Sequence, residues 1–321
     1  MLFENMIKNI YKKQMFSRQD ETHTAYYFTS DDFEGLNKTP YTFKSSKGHL
    51  LKGYFYSYKN PIENRIVVFD HGFGEGHRAY MKEIEMLCAK GYLVFSYDHT
   101  GCMESGGETT FGFTQSLMDL NDAVSALKKD PKYQGMTLSV VGHSWGGFST
   151  LNITALHPDI KHVVAMSGFI SVESMIRQAF GGVLSRCGQK IYAQEAEQNP
   201  EYIRYNALET LKNTKAQVLV LHSEDDQVVK CSEHFDVMQA ALVDKENITF
   251  VKLQGKAHNP NYTEEAVKYK DAFFAAYQKA LKKKQFKTEA DKQAFKAGYD
   301  WNKMTGQDMK VWKMIFEVLD R

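Results

Sequence analysis

The sequence predicts an α/β fold whose mostly parallel, doubly wound sheet has about eight strands flanked by helices. Short apolar runs bounded by turn residues alternate with longer segments in which apolar residues recur at helical spacing. Such runs are typical of strands buried on both faces of a parallel sheet, and the alternation predicts right-handed crossovers. No low-complexity linker or internal repeat divides the chain, so residues 1–321 are predicted to form a single domain.

The composition excludes several classes of protein. Lys and Arg number 40 against 39 Asp and Glu, a net charge of +1, so there is no excess of positive charge for a nucleic-acid partner. With 43% hydrophobic and 25% charged residues, the chain is not disordered. The four cysteines include no CxxC pair, so neither a disulfide framework nor a cysteine-based zinc site is expected.

The beginning of the chain has a helical pattern. Apolar residues at Met6, Ile7, Ile10 and Tyr11 predict an amphipathic helix within residues 1–20. Packing against the body of the domain is the favoured interpretation, and contact with a membrane surface or a partner is the alternative. These residues lack the pattern of a secretory signal, and no run of about 18 apolar residues occurs in the chain, so we expect a cytoplasmic protein.

The predicted elements follow in chain order. A hairpin comes first, formed by Tyr41–Lys44 and Leu51–Tyr58. Six further strands are predicted at Arg65–Asp70, Tyr92–Asp98, Thr137–Gly142, His162–Ser167, Gln217–His222 and Ile248–Leu253. Helices are predicted over 78–90, 114–129, 146–156, 173–212, 231–243 and 262–283.

Two segments interrupt this alternation. Residues 171–212 are long for a simple crossover and rich in helix formers, so they are predicted to form a small helical cap over the carboxyl edge of the sheet. The tail, residues 284–321, ends in an apolar stripe that predicts a last helix returning to the sheet. The stripe consists of Val311, Trp312, Ile315, Phe316 and Leu319.

Residues 142–147, Gly-His-Ser-Trp-Gly-Gly, give the strongest chemical signal. They follow a clear strand and precede a helical segment, the context that the Gly-x-Ser-x-Gly nucleophile elbow requires. The serine sits on a sharp, strained turn, and Gly142 and Gly146 supply the room that the turn needs. We therefore predict that Ser144 is a nucleophile, and the alternative is a glycine-rich turn with an idle serine.

A serine nucleophile needs a base and an orienting acid. Acidic residues follow the strand Gln217–His222, and a carboxylate at the end of a parallel strand faces the ligand crevice. Asp226 is the preferred acid, because aliphatic residues follow it after one polar residue, and Asp225 is the alternative. His258, in the glycine-containing loop after Ile248–Leu253, is the predicted base. The order Ser, Asp, His is that of hydrolases with a nucleophile elbow.

An acyl-transfer site also needs hydrogen-bond donors for the developing oxyanion. Residues 71–74, His-Gly-Phe-Gly, follow the strand Arg65–Asp70, and the backbone N–H groups of Phe73 and Trp145 are the expected pair. Each such donor contributes about 3 kcal/mol of transition-state stabilisation. A plain flexible loop is the alternative. Phosphate binding is disfavoured, because the GxxxxGK[ST] pattern is absent.

With these motifs in this order, the sequence resembles the α/β-hydrolase superfamily, in particular its monoacylglycerol-lipase and serine-aminopeptidase-like branch. The motifs that carry the resemblance are His71 to Gly74, Asp98 to Gly101, Gly142 to Gly147, Asp226 with Val228 and Val229, and His258 after Gly255. The resemblance implies the α/β-hydrolase fold, a Ser144–Asp226–His258 triad and an oxyanion hole at Phe73 and Trp145. It also implies no cofactor, and a cap between the sixth and seventh strands.

The sequence departs from the family pattern at two places. Met103 stands where the loop after the fourth strand often has a second glycine, which is expected to narrow the acyl side of the pocket. Residues 262–306 are longer than the usual link from the histidine loop to the final helix, and they are expected to cover part of the entrance.

We therefore predict a serine hydrolase that cleaves carboxylic esters through an acyl-enzyme, with no cofactor or metal. Apolar residues in and before the predicted cap favour a short to medium acyl or aryl ester: Phe169, Ile170, Met175, Ile176, Phe180 and Val183. Peptide or amide hydrolysis, acyl transfer or thioester hydrolysis, and a catalytically silent binding protein are the alternatives. The sequence leaves the natural substrate and the oligomeric state open.

Overall fold

The computed structural model describes residues 2–20, 28–74 and 76–321. The strands of the described residues are β1 (Asn37–Lys44), β2 (Leu50–Ser57), β3 (Arg65–Asp70), β4 (Leu93–Tyr97), β5 (Thr137–His143), β6 (His162–Met166), β7 (Gln217–Ser223) and β8 (Ile248–Leu253). They form a sheet in the order β1-β2-β4-β3-β5-β6-β7-β8. β2 runs antiparallel to β1 and β4, and every pairing from β4 to β8 is parallel. The predicted mostly parallel sheet of eight strands is confirmed.

Helices cover both faces of this sheet. They are α1 (Leu2–Met15), α2 (Met81–Ala89), α3 (Gln115–Lys129), α4 (Trp145–Asn152), α5 (Val172–Phe180), α6 (Ser185–Gln198), α7 (Ala207–Asn213), α8 (Phe235–Ala241), α9 (Glu264–Lys282), α10 (Glu289–Ala297), α11 (Trp301–Met304) and α12 (Met309–Leu319). Because successive strand residues face opposite sides, Val140 of β5 packs into the core with Val124 of α3, whereas Val141 packs into the core with Ile84 of α2 and Trp312 of α12. The central strands are therefore buried on both faces.

The first strand begins four residues earlier than predicted, at Asn37 rather than Tyr41. Residues 37–40 are exposed on the outer strand of the sheet, so they carry no alternation of apolar and polar residues. Pro40 lies in this stretch, and proline is tolerated on an edge strand, where its missing N–H breaks no ladder. A search for apolar runs therefore detects only the half of β1 that contacts the core.

Three helices, α5, α6 and α7, occupy residues 171–212 between β6 and β7, which is where a cap was expected. The last helix, α12, buries Val311, Trp312, Ile315 and Leu319 against the sheet. The tail therefore returns to the sheet, as its apolar stripe predicted.

At the other end of the chain, α1 packs against α6 and buries Tyr11, while Met6 and Ile10 remain about half exposed. One side of this helix therefore belongs to the core and the other faces solvent. Among the residues that the structure describes, no helix is long and apolar enough to cross a membrane.

Candidate active site

Ser144 occupies the sharp turn between β5 and α4. Its backbone angles are φ 56° and ψ −111°, in a region that residues with a side chain rarely adopt. The turn closes because two neighbours lack a side chain. A Cβ on Gly142 would lie 2.3 Å from the carbonyl oxygen of Gly146, and a Cβ on Gly146 would lie 2.1 Å from that of Asp70. The Ser144 amide donates to the carbonyl oxygen of Met166 in β6 (2.8 Å), which anchors the turn to the sheet.

The structure brings together the three side chains predicted as nucleophile, base and acid. Ser144 Oγ lies 2.8 Å from His258 Nε2, and His258 Nδ1 lies 2.8 Å from Asp226 Oδ2. The carboxylate is buried, whereas the imidazole is 21% exposed. A proton on Nδ1 facing the carboxylate leaves Nε2 free to accept the hydroxyl hydrogen of the serine.

The Asp226 carboxylate is held by backbone and side-chain donors. Its Oδ1 accepts hydrogen bonds from the amides of Val228 (2.8 Å) and Val229 (3.0 Å). Burial raises the pKa of this carboxyl, but hydrogen bonds from His222 and His258 outweigh burial and hold the pKa well below its usual range. The side chain is therefore ionised at neutral pH and carries the charge that a triad acid needs.

Asp225, the alternative acid, has different partners. Its carboxylate accepts from the Ser223 hydroxyl and lies 3.3 Å from the amide nitrogen of Ala257. Ala257 has a positive φ of 45° and immediately precedes the base. Asp225 therefore braces the loop that carries His258, whereas Asp226 contacts the imidazole.

His143 links three loops of the site, a role that the sequence did not indicate. Its Nε2 lies 2.6 Å from the carbonyl oxygen of His258, so Nε2–H donates and Nδ1 accepts from the Tyr80 hydroxyl (2.9 Å). The same hydroxyl accepts from the amide of Gly72 (3.1 Å). Burial lowers the pKa of His143 to about 3, so the ring is neutral. Its position beside the nucleophile was the only signal in the sequence.

His222 is the second histidine whose role the sequence reasoning missed. Its buried Nε2 lies 2.7 Å from the carbonyl oxygen of Val229 and 3.3 Å from Asp226 Oδ2. The carboxylate of Asp226 therefore faces two imidazoles. The available signal was spacing: His222 stands near the end of β7, four residues before the acid.

The two predicted oxyanion donors belong to separate segments of the chain, and both segments line the cleft that contains Ser144. Trp145 is the first residue of α4, so its amide has no acceptor within the helix. Phe73 lies in the loop after β3, next to Gly74 with φ 80°. Among the described residues, neither amide donates to another protein group, and both residues line a cleft together with Ser144. Both amides are thus left without a protein acceptor within this part of the chain, and their role as oxyanion donors stays a prediction.

This cleft has a volume of about 620 Å³ and two kinds of wall. Much of the lining is apolar and comes from Met15, Phe73, Phe113, Trp145, Phe169, Met175, Val229 and Val267. Near the base the lining is polar, with Asn259, Lys270 and Asp271. Because α9 supplies Val267, Lys270 and Asp271, the long segment 262–306 contributes to the wall of the cleft, and its expected cover of the entrance stays a prediction.

The apolar residues expected to line the pocket divide into three groups. Phe169 and Met175 line the cleft, whereas Ile170 and Ile176 are buried in the core and Phe180 packs against that core. Val183 is 99% exposed, on the short turn between α5 and α6. The expectation is therefore wrong for Ile170, Ile176, Phe180 and Val183, because an apolar residue in a helical segment suits the core, a pocket or the surface equally well.

A buried charged cluster stands behind the nucleophile turn. His99 Nε2 lies 3.1 Å from Asp70 Oδ1, and His99 Nδ1 lies 3.4 Å from Asp119 Oδ2. Although burial opposes it, the two carboxylates raise the pKa of His99 to about 9. The imidazolium therefore balances part of the negative charge beneath the site.

The N-terminal helix is tied to the cleft through the predicted cap. The Tyr11 hydroxyl donates to Glu195 Oε1 in α6 (2.6 Å), and Glu195 Oε2 accepts from the amide of Phe113 (2.9 Å). Burial raises the pKa of Glu195 to about 7. Since Phe113 and Met15 both line the cleft, α1 and α6 help to shape it.

Comparison with known sequences supports the family resemblance. Residues 62–207 match the family described as serine aminopeptidase, S33. The chain is 30% identical over 162 residues to the uncharacterised protein YqkD of Bacillus subtilis, covering 49% of this chain and 50% of that protein. Human monoglyceride lipase is 32% identical over 95 residues, covering 29% of this chain and 31% of the lipase. The matches thus span half or less of the length of these relatives.

Solved structures extend the comparison to most of the chain. An esterase of Pyrococcus furiosus superposes with a TM-score of 0.59 at 17% identity, covering 84% of this chain and 97% of the esterase. Est1E of Butyrivibrio proteoclasticus, solved with ferulic acid bound, superposes with a TM-score of 0.56 at 19% identity, covering 75% of this chain and 99% of Est1E. The chain has the α/β-hydrolase fold, and its resemblance to the monoglyceride-lipase-like branch of that superfamily is confirmed.

Proposed function

We propose that the protein is a serine hydrolase that cleaves carboxylic esters through an acyl-enzyme intermediate. The observation that carries the proposal is the unbroken chain of contacts from Ser144 through His258 to Asp226, with both separations at 2.8 Å and the serine facing a cleft. The names of the relatives, monoglyceride lipases and esterases, support the same class of reaction.

In the first half of the reaction, His258 Nε2 removes the hydroxyl proton as Ser144 Oγ attacks the ester carbonyl carbon. The amides of Phe73 and Trp145 then hold the oxyanion, and Asp226 stabilises the imidazolium. As the bond to the alcohol oxygen breaks, His258 gives the proton to that oxygen and the acyl group stays on the serine. In the second half, water takes the place of the alcohol and releases the acid.

The substrate we propose is an ester with an apolar acyl or aryl group. The aromatic side chains of Phe73, Phe113 and Phe169 line the cleft, and burial of an apolar group against them contributes about 25 cal/mol per Å². The chemistry of the three catalytic side chains requires neither cofactor nor metal.

We also propose that residues 1–321 act as one domain in which 171–212 form a cap over the site. Met175 of α5 and Met15, the last residue of α1, lie in the wall of the cleft and support this arrangement. The contact between α1 and α6 favours packing on the body as the role of residues 1–20 over docking on a membrane surface.

A second candidate function is hydrolysis of aminoacyl amides. It is favoured by the description of the matching family and by Asp271, an exposed carboxylate in the cleft wall that would pair with the ammonium group of such a substrate. Acyl transfer and thioester hydrolysis would use the same triad. A silent binding protein is disfavoured, because binding alone requires neither the strained turn nor the buried ionised acid.

A substrate panel separates these functions. We expect p-nitrophenyl esters, from acetate to decanoate, to be hydrolysed with a higher kcat/KM than aminoacyl p-nitroanilides, and we expect Ser144→Ala to abolish both activities. If the amides are cleaved faster than every ester, the second candidate is correct. If the purified wild type cleaves neither series, the proposal of a hydrolase fails.

A further inference from the structure

The polar wall of the cleft, beside the base, is built by a segment that the triad does not require. Helix α9 begins shortly after His258 and places Lys270 and Asp271 in the cleft wall. Lys270 Nζ donates to Oδ1 of Asn259, the residue that follows the base, over 2.9 Å. A cation is thus held within the cleft, next to the residue that handles the proton of the reaction.

Lys270 forms no ion pair with an acidic side chain among the described residues. Its side chain is half-buried and contacts two neutral groups, the amide oxygen of Asn259 and the ring of Tyr262, whose centroid lies 5.4 Å from Nζ. Burial raises the pKa of nearby Glu83 and the charge of Lys270 opposes that shift, but the two side chains form no ion pair. A half-buried ammonium group without a counter-ion binds an anion more strongly than an exposed ammonium group does, because water screens it less.

Asp271 lies next to Lys270 in the chain and carries the opposite charge. Neighbouring residues on a helix point in different directions, and the two side chains form no ion pair. Asp271 is exposed, whereas Lys270 is half-buried. Of the two charged side chains that α9 places in the cleft wall, Lys270 is therefore the one that water screens less.

The position beside the base decides which part of a substrate meets this charge. In the proposed reaction, His258 protonates the departing alcohol, so the alcohol portion of the ester lies on the side of the imidazole. The acyl portion would then lie against the apolar wall formed by Phe73, Phe113 and Phe169. An anionic group on the alcohol portion would lie within reach of the Lys270 ammonium group.

We propose that Lys270 is a specificity-determining residue that binds a carboxylate or phosphate group on the alcohol portion of the ester. The inference rests on the proposed esterase function and adds the chemical class of the substrate. Hydrogen bonds to a charged group are roughly twice as strong as neutral ones, so the ammonium group is expected to favour the anionic ester by about tenfold.

The test compares esters that share one acyl group and differ only in the charge of the alcohol. For phosphate, 1-butyrylglycerol is compared with 1-butyrylglycerol 3-phosphate, and for carboxylate, 3-butyryloxypropanamide is compared with 3-butyryloxypropanoic acid. The measured quantity is the ratio of kcat/KM for the anionic ester to that for its neutral partner. The variants are Lys270→Met, Lys270→Arg and the control Lys268→Met, which removes an exposed lysine from the same helix.

We expect Lys270→Met to lower this ratio about tenfold in at least one pair, Lys270→Arg to retain most of it and Lys268→Met to leave it unchanged. The pair that responds identifies phosphate or carboxylate as the preferred group. Added salt should lower the ratio in the wild type more than in Lys270→Met. If Lys270→Met slows both members of each pair equally, the lysine acts only through Asn259, and the inference is wrong. If the wild type cleaves none of the four esters, the proposed function itself fails.

Discussion

Replacing Asp226 by asparagine tests the electrostatic part of the proposed mechanism. Asp226 Oδ1 accepts hydrogen bonds from the amides of Val228 and Val229, so the asparagine side chain is expected to place its oxygen at the same position. Its NH₂ group would then occupy the position of Oδ2, 2.8 Å from His258 Nδ1. The NH₂ group and the Nδ1–H group, both donors, would face each other. The imidazole would therefore carry its proton on Nε2, so that Nδ1 can accept a hydrogen bond from the NH₂ group.

The expected loss of catalytic activity follows from that change of tautomer. With the proton on Nε2, His258 can no longer accept the hydroxyl proton of Ser144, and the positive charge formed in the transition state loses its carboxylate. A change of this kind in a serine hydrolase lowers kcat by about 10⁴-fold. This corresponds to about 5 kcal/mol of transition-state stabilisation, at about 1.4 kcal/mol for each factor of ten.

The assay is the kcat/KM for p-nitrophenyl butyrate, with thermal unfolding to verify that each variant is folded. Asp225→Asn is the matched control, because Asp225 braces the same loop through Ala257 without contacting the imidazole. We expect the control to retain activity within about tenfold of the wild type, since one modest hydrogen bond is weakened. A folded Asp226→Asn variant with more than a tenth of the wild-type activity would refute the reasoning, as would a larger loss in the control.

Three further predictions concern the framework of the site. Gly146→Ala places a Cβ 2.1 Å from a carbonyl oxygen of β3 and should lower the free energy of unfolding, measured by urea titration, by about 3 kcal/mol. The control is Gly298→Ala, whose Cβ would have its nearest neighbour at 3.4 Å, and it should change this free energy by less than about 0.5 kcal/mol. Equal effects would contradict the steric argument. Although burial opposes it, the neighbouring carboxylates raise the pKa of His99 from 6.5 to about 9. The protonated imidazole therefore contributes its full share to the free energy of unfolding below pH 6.5, and this contribution is lost as the pH rises through about 9. Urea titrations over this pH range should show a falling free energy of unfolding, and a constant value would rule out the contribution of His99. Tyr11→Phe removes a hydrogen bond to Glu195 and should speed tryptic cleavage within α1, and an unchanged rate would show that this bond does not hold the helix.

Much of the sheet could be predicted because its strands lie in the core. β3 and β8 have the predicted bounds, since each is an apolar run that turn residues terminate sharply. The beginning of β1 could not be predicted, because residues 37–40 are exposed at the edge of the sheet. The partners of such a strand are backbone groups, and these leave no pattern in the side chains.

The three side chains that meet in the site were predictable because each is placed by local turn chemistry. Ser144 lies between glycines that a strained turn requires, and His258 follows a loop with positive φ at Gly255 and Ala257. His143 and His222 were not predictable as supports of the site. Their contacts, to the His258 carbonyl and to Asp226, join segments that only the folded chain brings together.

Met103, which stands where the family often has a glycine, affects a different part of the structure from the one that the sequence predicted. It was expected to narrow the acyl side of the pocket, but its side chain lies against Gly76, beside a separate small cavity with Asp98 and Glu104. Its backbone has a φ of 42°, in the region that favours glycine. The substitution therefore affects the backbone conformation of the loop, and the proposed catalytic cleft is lined by other residues.

The central claim is that the hydroxyl of Ser144 is the nucleophile, and covalent labelling tests it most directly. The folded wild type is treated with a fluorophosphonate, digested and mapped by mass spectrometry, beside Ser144→Ala and with thermal unfolding of both proteins. The account predicts one adduct per chain, on the peptide that contains Ser144, and no adduct on the variant. An adduct on another serine, or a folded wild type that takes up no label, would contradict it.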